Sequence, residues 1–258
     1  MTKCKVLILR TAGTNCDYET LFAFEVCGAK VEKLHINNIM ENKRKFFEYD
    51  ILVFPGGFSY GDDIASGKIL ANEIKNKLGD ELREFSLSGR PIIGICNGFQ
   101  VLVKMGLLPD PKLFKQITTL YYNDSGKFEC RWVYLKVLQN SNCLWTKNLP
   151  KIISLPVAHM EGKFIPKDKI VLNTLNTNKQ IVFKYTTKDG EHLPNYPLDP
   201  NGSVEQIAGI CNKDGNILGL MPHPERFIFN IQYPFNINLK NKYGLGKIIF
   251  QNAVDFVR

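Results

Sequence analysis

Arg90-Pro91-Ile92-Ile93-Gly94-Ile95-Cys96-Asn97-Gly98-Phe99-Gln100 is the stretch on which the reading of this chain turns. Its first half is an apolar strand pattern, and a helical pattern over Phe99–Met105 follows at once. Between them a thiol is flanked by glycines two residues to either side. A nucleophile placed this way between strand and helix implies a sharp, strained turn with the side chain at its tip. Glycine is needed on both sides because a side chain there would meet neighbouring backbone. The helix that follows directs its N-terminus at the sulfur and favours thiolate over thiol. The Asn97 backbone N–H, just past the thiol, is placed to donate to an oxyanion. A packing turn with an inert buried cysteine is the competing reading of these residues alone.

Outward from this turn the chain alternates strand and helix. Lys5–Arg10, Lys30–Leu34, Asp50–Phe54 and Arg90–Ile95 read as strands. Glu19–Cys27, stopped by Gly28 and with Asp17 as its expected N-cap, and Glu73–Phe85 read as helices. Such alternation predicts an α/β fold, a mostly parallel sheet with helices on both faces. Later the pattern changes. Phe128–Val137, Gln180–Tyr185 and Ile207–Cys211 suit a small antiparallel extension, and Thr186–Ser203 reads as a long loop containing His192. Asn216–Leu220 is a last strand, and Gly246–Val257 a terminal helix. No repeat or clean boundary divides residues 1–258, so a single domain is expected.

Composition narrows the function classes. The 258 residues are 44% hydrophobic and 22% charged, ordinary for a globular protein. No apolar run reaches the ~18 residues of a membrane span. The N-terminal residues lack the pattern of a signal peptide. Seven cysteines occur without any Cys-x-x-Cys pair, which argues against a zinc site and a disulfide framework and fits a reducing cytoplasmic setting. The net charge of +8 is spread along the chain, so it reads as a lysine-rich surface and not as a nucleic-acid site.

Pro55-Gly56-Gly57 ends a strand as Cys96 does, and strand ends on one edge of a parallel sheet converge on one crevice. Gly57 N–H is the candidate second oxyanion donor. Among His35, His159, His192 and His223, the last stands at a strand end before Pro224. A residue before proline is pushed to extended geometry. Glu225, two residues on, then shares a side with the imidazole and can hold one nitrogen while the other faces the thiol.

The Gly-x-Cys-x-Gly turn, the strand order and the His223-Pro224-Glu225 ending resemble class I, triad-type glutamine amidotransferase domains over most of the chain. Six ordered segments sharpen the resemblance toward the stand-alone glutaminase subunits of purine synthesis. They are residues 10–17, Phe54-Pro55-Gly56-Gly57-Phe58-Ser59-Tyr60-Gly61-Asp62-Asp63-Ile64, residues 94–100, 156–164, 200–203 and 219–226.

The resemblance implies a flavodoxin-like three-layer fold. It implies Cys96 as nucleophile, His223 as base, Glu225 as orienter, Gly57 and Asn97 as oxyanion donors, and Gln100 as a contact for substrate L-glutamine. His159 and Glu161 fall in a pocket-wall segment. Met160 stands where a small residue is expected. The family's partners would be a large synthase subunit, which uses ATP and Mg, and a small accessory subunit. No metal or cofactor is expected on this chain, and it has no Walker-type phosphate loop. Ammonia supply to imidazole glycerol phosphate or pyridoxal phosphate synthesis is the alternative within the family, against which the Phe58–Asp63 run stands. A non-catalytic scaffold of the same fold would predict a broken triad.

Overall fold

In a computed structural model, residues 3–190, 194–235 and 241–258 are described. The strands are β1 (Lys5–Arg10), β2 (Lys30–His35), β3 (Ile51–Phe54), β4 (Ile92–Ile95), β5 (Thr118–Tyr122), β6 (Glu129–Val137), β7 (Ile152–His159), β8 (Glu161–Pro166), β9 (Ile181–Thr186), β10 (Ile207–Cys211) and β11 (Ile217–Leu220). The helices are α1 (Asp17–Val26), α2 (Ile36–Glu41), α3 (Lys68–Leu87), α4 (Asn97–Met105), α5 (Lys169–Thr177) and α6 (Gly246–Phe256).

Nine strands form one sheet in the order β2-β1-β3-β4-β11-β10-β9-β6-β7, and β5 pairs with β8 in a second sheet. The first five run parallel, while β10, β9, β6 and β7 continue the sheet antiparallel. Every residue of β3, β4 and β11 is buried, as a parallel sheet covered on both faces demands. From β1 the chain steps to β2 on one side, then returns to build β3 and β4 on the other. Right-handed crossovers in opposite directions put α1 and α3 on opposite faces. α1 packs on α6, with Phe24 and Phe250 edge-to-face at 4.9 Å. The reversal opens a crevice at the carboxyl ends of β1 and β3, where ligands bind in such folds.

Several expectations are corrected. Cys16, not Asp17, occupies the N-cap position of α1 and makes no side-chain cap. Asp17 lies in the first turn and pairs with Lys33 at 3.2 Å and Arg10 at 3.8 Å; a carboxylate there also suits the helix dipole. α3 begins at Lys68, five residues before the expected start, directly after Gly67 in a left-handed conformation. β7 was not legible because Pro156 breaks the strand pattern; β7 is the last strand of the sheet, and an edge tolerates the missing donor. Of the expected loop Thr186–Ser203, Thr186 is the last residue of β9, and the described residues after it carry no helix or strand; His192 lies outside the described residues.

Candidate functional site

Cys96 follows β4 with φ +51° and ψ −107°, a positive-φ conformation that non-glycine residues avoid at a cost of about 1–3 kcal/mol. The surroundings enforce it. Cys96 N–H donates to Leu220 O at 2.8 Å, and Gln100 N–H returns to Cys96 O at 3.1 Å. A Cβ on Gly94 would stand 2.6 Å from Gly98 O, and one on Gly98 would collide with the Phe54 carbonyl. The two glycines therefore let α4 start close against β3 and β4.

β3, β4 and β11 are neighbours in register, with Phe54 opposite Gly94 and Ile95 opposite Leu220. This register brings the Cys96, Gly57 and His223 segments to one crevice, although thiol and imidazole are 127 positions apart in the chain. His223 N–H donates to Pro156 O at 2.8 Å, and Cys96 Sγ lies 3.6 Å from Ala158 O, so the end of β7 runs beside both. His223 Nδ1 is 2.6 Å from Glu225 Oε1, with both side chains fully buried. His223 Nε2 has no hydrogen-bond partner in the structure. Burial alone would lower the His223 pKa; the Glu225 carboxylate, and after it the Cys96 and Cys16 sulfurs, outweigh burial and raise it well above the usual value. The arrangement is a buried imidazole–carboxylate dyad beside a thiol.

Asn97 opens α4, so its N–H is among the first-turn donors that have no intrahelical acceptor. Gly57 has φ +141°, and a Cβ there would press 2.8 Å from Asn15 N and Gly13 O. The β1 and β3 loops thus touch through a Thr14–Gly57 bridge. Gln100 is buried, and its Nε2 donates to Glu161 O at 2.6 Å.

His159 is buried with Nδ1 3.1 Å from Asn123 Oδ1. Asn123 Nδ2 donates to Lys127 O and His159 O, so Oδ1 is the acceptor and His159 Nδ1 carries the proton. Burial first, then the charge of His223, lowers its pKa to about 3, so the ring is neutral. Met160 is 43% exposed and has no positive φ, so the turn between β7 and β8 accepts a side chain where a small residue was expected.

Sequence reasoning missed four neighbours. Cys16 Sγ accepts from Arg226 Nη2 at 3.2 Å, while Arg226 Nε reaches Glu19 Oε1 at 3.2 Å. Ligand atoms of Cys16, His223 and Glu225 lie within 4.8 Å of one another, the one such group among the described residues. The Arg226 cation against the sulfur and the closed His223–Glu225 contact suit a hydrogen-bonded thiol better than a metal ligand. Lys104 is buried in α4, 3.9 Å from Glu161 and bonded to Ser66 O. Burial lowers its pKa, opposed by Glu161 and Asp62. A lysine inside the apolar run Val101–Met105 was the available signal. Asp62 lies in the Phe54–Ile64 segment, yet its contacts reach across the fold to Asn97.

The pattern of the family described as CobB/CobQ-like glutamine amidotransferase domain matches residues 3–257, and the chain belongs to that family. It is 48% identical over 259 residues to the "Phosphoribosylformylglycinamidine synthase subunit PurQ" of Dehalococcoides mccartyi, covering 100% of this chain and 99% of that one. The same-named protein of Archaeoglobus fulgidus is 43% identical over 98% of this chain and 97% of its own length. The structure of PurLQS from Thermotoga maritima matches with a TM-score of 0.75 and 30% identity, over 100% of both chains. No helix among the described residues is long and apolar enough to cross a membrane.

Proposed function

We propose that the chain is the glutaminase subunit of phosphoribosylformylglycinamidine synthase and acts as one glutamine amidotransferase unit in the cytoplasm. The observation that carries the reading is the buried His223–Glu225 pair, 2.6 Å apart, just past the end of β11, whose parallel neighbour β4 runs directly into Cys96. Near full-length relatives named as PurQ, and the similarity to a PurLQS structure, support the particular synthase.

His223 takes the Cys96 proton, and the thiolate attacks the side-chain carboxamide carbon of L-glutamine. Gly57 and Asn97 N–H groups hold the tetrahedral oxyanion; such a donor contributes about 3–4 kcal/mol to lowering the barrier. The His223 imidazolium protonates the leaving nitrogen, the C–N bond breaks and ammonia departs. Water, deprotonated by His223, then cleaves the glutamyl thioester and restores the thiol. Glu225 keeps the ring proton on Nδ1 and balances the imidazolium charge. Gln100 contacts the glutamine. His159 and Glu161 belong to the pocket wall.

Free ammonia in water is protonated and lost as a nucleophile, so the product passes to a large synthase subunit with a small accessory subunit. That partner spends ATP with Mg to convert formylglycinamide ribonucleotide to formylglycinamidine ribonucleotide.

Cys96→Ala tests the assignment. With the synthase present, glutamine hydrolysis should vanish, and a covalent glutamine analogue should label Cys96 in the wild type and no other thiol. Hydrolysis by the variant near the wild-type rate would refute it.

A further inference from the structure

Every polar atom of the Asn97 side chain is engaged. Nδ2 donates to Asp62 Oδ1 at 3.1 Å and to Gln100 Oε1 at 3.0 Å, and Oδ1 accepts from Ser59 N–H at 3.3 Å. The orientation is determined, because Gln100 must present Oε1 while its Nε2 serves Glu161 O. Asp62 gathers two further donors: Oδ1 accepts from Gly67 N–H at 3.1 Å and Oδ2 from Ser66 Oγ at 3.0 Å. Ser66 N–H in turn donates to both oxygens of Glu161, at 3.3 and 3.2 Å. The β3–α3 loop, the first turn of α4 and the start of β8 are thus one hydrogen-bonded unit.

The loop is held in a costly shape. Asp62 has φ +56° and Tyr60 φ +54°, both left-handed, and neither is glycine. Such conformations persist only where the surroundings over-determine them, and they gather at functional sites. Tyr60 is held by Glu73 at 2.5 Å, and Asp62 by the three donors just named.

We propose that Asp62 is a positioning residue for the glutaminase reaction. Its carboxylate grips the Asn97 amide and so holds the first turn of α4, with the Asn97 backbone N–H beside the nucleophile. A carboxylate suits this position because three donors converge on it, whereas an amide would turn an NH2 toward one of them. Asp62 touches no reacting atom. The inference rests on the reading of Cys96 as nucleophile and adds the support that keeps the oxyanion donor in place.

The test is Asp62→Ala and Asp62→Asn in the full chain, assayed with the synthase. A displaced catalytic group of this kind should lower kcat of Asp62→Ala by about 10- to 10²-fold. KM for glutamine should stay within about threefold, since the lost support acts on the transition state. Alkylation of Cys96 by iodoacetamide, which displaces iodide and forms no oxyanion, should keep its wild-type rate. Asp62→Asn should fall between wild type and Asp62→Ala. Asn97→Ala should match the kcat loss of Asp62→Ala, and the double variant should lose no more than either, as members of one network do. Asn97→Ala also carries the comparison if Asp62→Ala does not fold. The proposal is overturned by wild-type kcat in folded Asp62→Ala or Asn97→Ala, by additive losses, or by an equal fall in alkylation rate. Survival of hydrolysis in Cys96→Ala is a separate result and would remove the underlying glutaminase reading instead.

Discussion

Glu225→Gln keeps the side-chain volume and removes one charge. In the native site the carboxylate accepts the Nδ1 proton of His223 across 2.6 Å, with exposures of only 1% and 0%. That leaves Nε2 as the nitrogen free to take the thiol proton. A glutamine at 225 can offer its NH2 to Nδ1, which drives the ring proton to Nε2 and blocks that transfer. The imidazolium that forms during reaction would also lie buried without a counter-ion. Stripping one partner from a buried pair costs about 3–5 kcal/mol. If the transition state bears all of it, kcat falls by about 10²- to 10⁴-fold. The assay is glutamate release from glutamine with the synthase present, alongside urea unfolding across pH. The raised His223 pKa contributes stability that is fully present below the unfolded value of about 6.5 and is lost as pH rises through the folded value. The stability gap between wild type and variant should therefore be widest near about pH 6 and narrow above it. A variant retaining more than about a tenth of wild-type kcat, a loss of only ~1.4 kcal/mol, with a gap that ignores pH, would refute the dyad's role.

His159 gives the opposite pH signature. Its folded pKa of about 3 lies below the unfolded ~6.5, so the unfolded chain binds a proton that the native one refuses. Stability should drop as pH falls from ~6.5 toward ~3, by up to about 5 kcal/mol, and His159→Gln should flatten that slope in urea titrations; an unchanged slope contradicts the assignment. Gly98→Ala would drive a methyl group into the backbone carbonyl of Phe54, which cannot swing aside as a side chain could. Overpacking of this kind should cost about 3 kcal/mol or more, read as a lower urea midpoint, and a midpoint within error of wild type would show that α4 can retreat from β3.

The inner strands of the parallel half were legible because they are buried on both faces and read as continuous apolar runs, as in β3, β4 and β11. The antiparallel half was only partly so. Pro156 hid β7, and the β-branched residues and asparagines of Lys169–Thr177, weak helix formers, hid α5, whose start is capped by Asp168 accepting from Val171 N–H at 2.9 Å.

The sequence by itself determined the nucleophilic turn. Gly94, Cys96 and Gly98 are local, and their spacing carries a steric requirement that any fold must meet. It also paired His223 with Glu225, because proline geometry operates over neighbouring residues. Only the tertiary structure decided that these two segments meet, since that depends on β11 inserting beside β4 with Leu220 opposite Ile95. The same holds for Cys16 against Arg226, for buried Lys104 beside Glu161, and for Asp62 gripping Asn97. Polar contacts between residues 35 to 210 positions apart leave no periodic trace in a sequence, because no local rule links their spacing.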